Sequence, residues 1–349
     1  MAEVIEQLLE TRQCKGGVLD RLSLAGKDLS QCYFVECSLI DVDLSGCNLE
    51  KTVFINCNLN GVDFSSTQPL ETIFQGSILN KAQFNGVVLK DAIFSKSSLI
   101  EANFIKATLH ETAFDDCNLE SARFNGADLT KAAFLKSSAK KADFTEANLR
   151  RTTMASLDLS TAIFQSSSLI ETYFEGSDLS GHSFADCDLT ATIFHKAKLV
   201  KANFAQRELL AVFFSQADLT GASFSHTKLT QVSFEQGVLD QAIFVEADIK
   251  LCNFQKASLK QASFEGAAMQ SCIFGEAQAA SSNWKSASLE QCTLTGATLD
   301  GSDFTKAKLK TVNMHDVSQK NTLWEQASLV DVEGTNPDRL AAENWAPKP

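Results

Sequence analysis

A large apolar residue recurs at nearly every fifth position from Leu19 to Leu329, in a register that runs through 63 consecutive units without an insertion or deletion. Of the 31 positions ending in 4 from Leu24 to Trp324, 24 are Phe and the rest Leu, Met or Trp. Of the 32 positions ending in 9 from Leu19 onward, 26 are Leu. A period of five fits neither a helix of about 3.6 residues per turn nor a strand of period about 2, so the chain must turn a corner every five residues and send one side chain inward each time. The residue two before each centre is small in most units, as in Ala127-Asp128-Leu129, Ala147-Asn148-Leu149 and Ala217-Asp218-Leu219. That gives a second inward position crowded against the central one.

With these Ala-(Asp/Asn)-Leu-X-X units the chain resembles the pentapeptide-repeat family over about nine-tenths of its length. The resemblance implies an all-β fold, a right-handed quadrilateral parallel β-helix of about sixteen coils with short helical caps, each coil holding four pentapeptides in 20 residues. The alternation of Phe and Leu then stacks Phe in columns on two opposite faces and Leu on the other two. A coil of this kind stands only against its neighbours, so the ends need cover. Residues 1–16 are expected to be an N-terminal capping helix, with Val4, Ile5, Leu8 and Leu9 on one stripe before Gly16-Gly17. Residues 17–332 are the β-helix. Residues 333–349 form a C-terminal cap or tail, beginning near Asn336-Pro337-Asp338 and carrying Leu340 and Trp345.

Charge narrows the function. A formal net charge of -12 and the absence of a Lys/Arg cluster argue against direct binding of nucleic acid or anionic membrane. No stretch approaches the roughly 18 consecutive apolar residues of a membrane span, and MAEVIEQLLE resembles neither a secretory signal nor a transit peptide. The expected location is the cytoplasm.

Ten cysteines invite a metal or disulfide reading. Nine of them, all but Cys14, fall on the small inward position, namely Cys32, Cys37, Cys47, Cys57, Cys117, Cys187, Cys252, Cys272 and Cys292. There cysteine serves as a small buried hydrophobe. The histidines His110, His182, His195, His226 and His315 show no zinc spacing and no recurring carboxylate or nucleophile partner. Glycine-rich phosphate loops are absent, and the many Asp residues before Leu read as turn-capping groups. No catalytic, cofactor-binding or metal-binding residue is assigned, and the chain reads as a non-enzyme without a cofactor.

Departures from the repeat mark places where the coil deforms or function intervenes. Pro69, Ala139, Ala279 and Gln319 replace large central residues, while Leu157, His182 and Arg207 occupy small inward sites. Arg207 is expected to bulge the coil so that its guanidinium reaches solvent. The functional signal is a column of outward residues immediately before alternate Phe centres: Tyr33, Val53, Ile73, Ile93, Tyr173, Ile193 and Phe213, interrupted by Ala113, Ala133 and Thr153. β-Branched and aromatic residues favour strand surfaces in general, yet an apolar strip along one wall is also the mark of a partner interface. The leading expectation is a protein-binding scaffold whose partner is a protein, with a homodimer through an end or through the apolar face as a further use. Two other readings follow from the resemblance. One is a DNA-mimic-like protein that binds gyrase or topoisomerase and protects it from quinolones; the other is an accessory adaptor of a bacterial type VI secretion system.

Overall fold

Every strand of the computed structural model pairs in parallel with the strand 20 residues away, as in Tyr33 with Val53 and Ile249 with Met269. This register makes the chain an all-β parallel solenoid of about 16 turns. Isolated bridges at the same 20-residue offset run along the other walls, for example Ser38 with Asn58 and Gln83 with Asn103. The structure describes residues 2–343, without the side chains of Ala2 and Val4. It divides into two units, Met1–Asp178 with Asp186–Asp188, and Leu179–Ala185 with Leu189–Pro349.

In the first unit, helix α1 (Ala2–Thr11) leads into a sheet of seven three-residue strands. These are β1 (Gln13–Lys15), β2 (Tyr33–Val35), β3 (Val53–Ile55), β4 (Ile73–Gln75), β5 (Ile93–Ser95), β6 (Ala113–Asp115) and β7 (Ala133–Leu135). Leu8 of α1 is buried, while Ile5 and Leu9 are half-buried; the Val4 side chain of the expected stripe lies outside the described residues. The sheet already begins at Gln13, within the span expected for the N-terminal cap.

The core is layered as the alternation implies. Phe74, Phe94 and Phe114 stack with ring centroids 4.8 and 5.0 Å apart. Phe84 and Phe104 of the opposite column meet them edge-on, at 5.8 Å for Phe84 and Phe94 and 6.0 Å for Phe94 and Phe104. Each buried ring contributes about 1.5–3 kcal/mol through area alone, and stacked or edge-to-face pairs add about 0.5–1.5 kcal/mol. Small inward polar groups are satisfied internally. The hydroxyls of Thr52, Thr72 and Thr112 each donate to a Leu carbonyl 23 residues earlier, at 2.8 Å.

Most corners are closed by a backbone bond from the small inward residue back to the preceding centre, as in Val42 N–H to the Leu39 carbonyl at 3.2 Å. The corner residue lies in the left-handed region, where glycine is usual, yet most are Lys, Glu, Gln or Ser, such as Lys131 (φ 60°) and Glu146 (φ 59°). Corners after the three-residue strands are built differently. The Cys57 N–H donates instead to Ser77 Oγ, 3.1 Å away in the next coil, and the Cys117 N–H to Ser137 Oγ at 3.0 Å.

In the second unit the three-residue strands centre on positions ending in 9, where those of the first unit centre on positions ending in 4. They are β8 (Glu208–Leu210), β9 (Lys228–Thr230), β10 (Asp248–Lys250), β11 (Ala268–Gln270), β12 (Ser288–Glu290), β13 (Lys308–Lys310) and β14 (Ser328–Val330), followed by helix α2 (Pro337–Glu343). The new sheet starts on the residue after Arg207. Arg207 is half-buried, and its carbonyl accepts the Lys228 N–H of the next coil at 2.8 Å. His182 is half-buried, its ring 6.0 Å from Phe184. In the first unit Pro69 stays buried at its central site, and a proline there removes one ladder donor.

The last coil is where the core meets solvent. Trp324 stacks on Phe304 at 4.4 Å, but Leu329 is 54% exposed and Gln319 is exposed. Helix α2 is held beside it by His315, whose Nδ1 accepts the Asn336 N–H at 3.1 Å and whose Nε2 lies 3.2 Å from the Glu343 carboxylate. Trp345, expected in the C-terminal cap, lies outside the described residues.

Candidate interaction surface

Within a three-residue strand the central side chain points inward and its two neighbours point out. Strands β2 to β5 therefore present Tyr33 and Val35, Val53 and Ile55, Ile73 and Gln75, and Ile93 and Ser95 as four rows on one flat wall. Tyr33 is 48% and Ile93 41% exposed, with Val53 and Ile73 half-buried between them. Val35 and Ile55 were not singled out from the sequence. Their signal was the alternation about a buried centre, which becomes visible only once the strand on this wall is known to extend past Phe34 and Phe54. Further along the same register Ala113 and Ala133 flatten the wall.

The remaining expected members are less contiguous. Tyr173 bridges to Thr153 and is 42% exposed, beside the ion pairs of Glu171 with Arg150 and Arg151. In the second unit Ile193 bridges to Phe213; Ile193 is half-buried and Phe213 43% exposed, and the next residue along is Ser233.

The sheet of the second unit has the opposite character. Its outward residues include Glu208 paired with Lys228, Asp248 with Lys250 at 2.9 Å and Glu290 with Lys310 at 2.7 Å. Acid and base also alternate at corner positions of the first unit, as in Lys51 with Glu71 at 3.7 Å and Glu111 with Lys131 at 2.7 Å. Such exposed pairs contribute little to stability, but they leave the acids locally compensated.

The cysteines fall at packing positions and the aspartates at turns. All ten cysteines are buried and free. His226 lies 3.3 Å from Glu246, and Asp carboxylates cap the residues two positions on, as Asp43 does for the N–H and hydroxyl of Ser45 at 3.0 and 2.6 Å. Among the described residues no group of three or more His, Cys, Asp or Glu side chains is placed to hold a metal ion, and no helix is long and apolar enough to cross a membrane.

The family model described as "Pentapeptide repeat region" matches residues 19–94, 71–144, 87–162 and 187–264. A second, "Pentapeptide repeats (8 copies)", matches 167–206 and 272–310. No curated protein matches the sequence. Among solved structures, the chain is similar to HetL, a pentapeptide repeat protein involved in heterocyst differentiation regulation from the cyanobacterium Nostoc sp. strain PCC 7120, at 21% identity over 77% of this chain and 96% of that one, with a TM-score of 0.25. It is also similar to the pentapeptide repeat protein Rfr23 from the cyanobacterium Cyanothece 51142, at 18% identity over 47% and 98% of the two chains, TM-score 0.21. Full-length QnrB1, a plasmid-mediated fluoroquinolone resistance protein, matches at 18% identity over 74% and 93%, TM-score 0.20.

Proposed function

The chain belongs to the pentapeptide repeat family, and from that premise we propose that it is a non-catalytic scaffold that docks a protein partner on the wall formed by β2 to β5. The observation that carries this reading is the flat cluster of Tyr33, Val35, Val53, Ile55, Ile73 and Ile93, six apolar side chains in register on one sheet. A sheet wall of this kind needs no large outward apolar residue for its own stability, as the outward positions of β9 to β13 illustrate. Contiguous apolar surface on a rigid wall favours an interface, because no backbone ordering opposes docking. The compensated acid–base ladders weigh against a DNA-like surface.

The test is the triple substitution Tyr33→Lys, Ile73→Lys and Ile93→Lys, compared with Lys228→Ala plus Lys250→Ala on the charged wall. Both variants should keep the circular dichroism of the parent chain. The triple variant is expected to lose co-purifying protein partners that the control retains; an unchanged partner set in the triple variant would overturn the reading.

Self-association through the last coil is a second use, favoured by the exposure of Leu329 and Gln319 at positions that are otherwise core. Light scattering on a Leu329→Glu variant is expected to show a monomer where the parent forms a dimer. A parent that is monomeric at high concentration would remove this part.

A further inference from the structure

The first coil departs from the others at its inward positions. Where β2 to β7 carry a central Phe, β1 carries Cys14, in register with Phe34. The small inward site that follows is Gly17, and a Cβ built on it would fall 2.5 Å from Cys14 Sγ and 3.9 Å from Cys37 Sγ. The Cys14 thiol thus fills the space that glycine leaves, and there it meets Cys37 of the second coil. The two sulfurs are 3.4 Å apart, and Cys37 Sγ lies 3.2 Å from the Cys14 carbonyl oxygen. Both thiols are free, with Cys14 9% and Cys37 2% exposed. A cavity of about 460 Å³, lined by Leu8, Thr11, Gln13, Cys14, Lys15 and Gly17, opens beside Cys14.

This pair differs in kind from the other stacked cysteines. Cys252, Cys272 and Cys292 occupy equivalent positions in successive coils, whose backbones the strand spacing holds about 4.8 Å apart. A disulfide needs Cβ atoms about 3.8 Å apart and a bond of about 2.05 Å. Cys14 approaches Cys37 from a central position rather than from the same column, so the two thiols converge.

We propose that Cys14 and Cys37 are a redox pair, oxidised by a hydroperoxide to a disulfide that ties the first coil, and with it α1, to the second. The Cys37 thiolate attacks one peroxide oxygen; the O–O bond breaks, leaving a sulfenic acid and, after protonation, one water or alcohol. Cys14 sulfur then attacks Cys37 sulfur, forming the S–S bond as the S–O bond breaks, and the departing hydroxide takes the Cys14 proton to give water. Two thiols are oxidised as one peroxide is reduced, and a dithiol reductant reverses the change. The order of attack follows from the environments. Hydrogen bonding with the Cys57 thiol, opposed by burial and helped by the Cys14 thiol, brings Cys37 down to about 6. Burial, followed by the contact with Cys37, pushes Cys14 up to about 12. Thiolate character of this kind governs thiol reactivity.

The experiment treats the reduced full chain with hydrogen peroxide, alkylates the remaining thiols and maps unreduced peptides by mass spectrometry. Digestion with trypsin and a Glu/Asp-specific protease separates Cys37 from Cys32 and Cys47. A Cys14–Cys37 linked peptide is expected, two hydrogens lighter than its parts and abolished by dithiothreitol, while Cys252, Cys272 and Cys292 are recovered alkylated. Amide exchange in α1 should slow on oxidation. A Cys14→Ser chain should instead accumulate a sulfenic acid at Cys37 that dimedone traps. Gly17→Ala, whose methyl displaces the Cys14 sulfur, should form the link several-fold more slowly while keeping the parent circular dichroism. Full alkylation of both thiols after peroxide, a Cys37–Cys57 link in place of the expected one, or a link that forms only in the denatured chain would overturn the proposal.

Discussion

Ser77 Oγ accepts the N–H of Cys57 at 3.1 Å and lies 3.2 Å from the Phe54 carbonyl to which it donates. This one hydroxyl completes a corner that lacks the usual backbone turn bond. Ser77 is 1% exposed, so truncation leaves a buried donor without water to replace the lost partner. Ser77→Ala is expected to destabilise the chain by about 1–3 kcal/mol. Ser77→Cys should be milder, since Cys37, Cys57 and Cys117 occupy the same column. Thermal or denaturant unfolding of the two variants checks the order; equal losses would contradict it.

Corner geometry gives a prediction of opposite sign. Thr311 sits at φ 55°, in a region that β-branched residues avoid, and its side chain is exposed. Asn tolerates this conformation better, and the left-handed penalty for an L-residue is about 1–2 kcal/mol. Thr311→Asn is therefore expected to stabilise the chain by about 1 kcal/mol, measured as an increase in the denaturant midpoint. A lowered midpoint would show that the corner is not strained.

Acid should unfold the solenoid by removing its turn caps. The Ser45 hydroxyl and then the Ser45 N–H hold the Asp43 carboxyl below the usual carboxylate range, and Ser160 acts in the same way on Asp158. At Asp143 partial burial pushes upward, but the Thr145 hydroxyl, the Asn125 amide and the Thr145 N–H together outweigh it. A carboxyl whose folded pKa is depressed contributes its stability above the unfolded value, about 3.9, and loses it as pH falls through the lower folded value. The melting temperature should accordingly hold from neutral pH to about pH 5 and fall below about pH 4. A chain that is most stable below that point would contradict this account.

The period of five made the register, the Phe and Leu columns and the burial of the small inward cysteines legible before any coordinates. It did so because an inward side chain every fifth residue leaves few choices for packing. What it could not reveal depends on hydrogen-bond competition at each corner. Whether the Cys57 amide closes a backbone turn or reaches Ser77 is a choice between hydrogen bonds that leaves the apolar pattern unchanged. For that reason the strands at Phe34 to Phe134, the strands centred on positions ending in 9 after Arg207, and the outward Val35 and Ile55 all emerged only with the structure. Cys14, set apart in the sequence as the one cysteine outside the small inward sites, has its place at a central position hidden for a related reason, because a cysteine there breaks the pattern of large residues.

The most direct test of the proposed docking wall places a photo-crosslinking amino acid at Ile73 in one chain and at Lys228 in another, each expressed in its native cells. The account predicts a covalent protein adduct from Ile73 that disappears when Ile93→Lys is added, and none from Lys228. Adducts from Lys228 with none from Ile73 would contradict it.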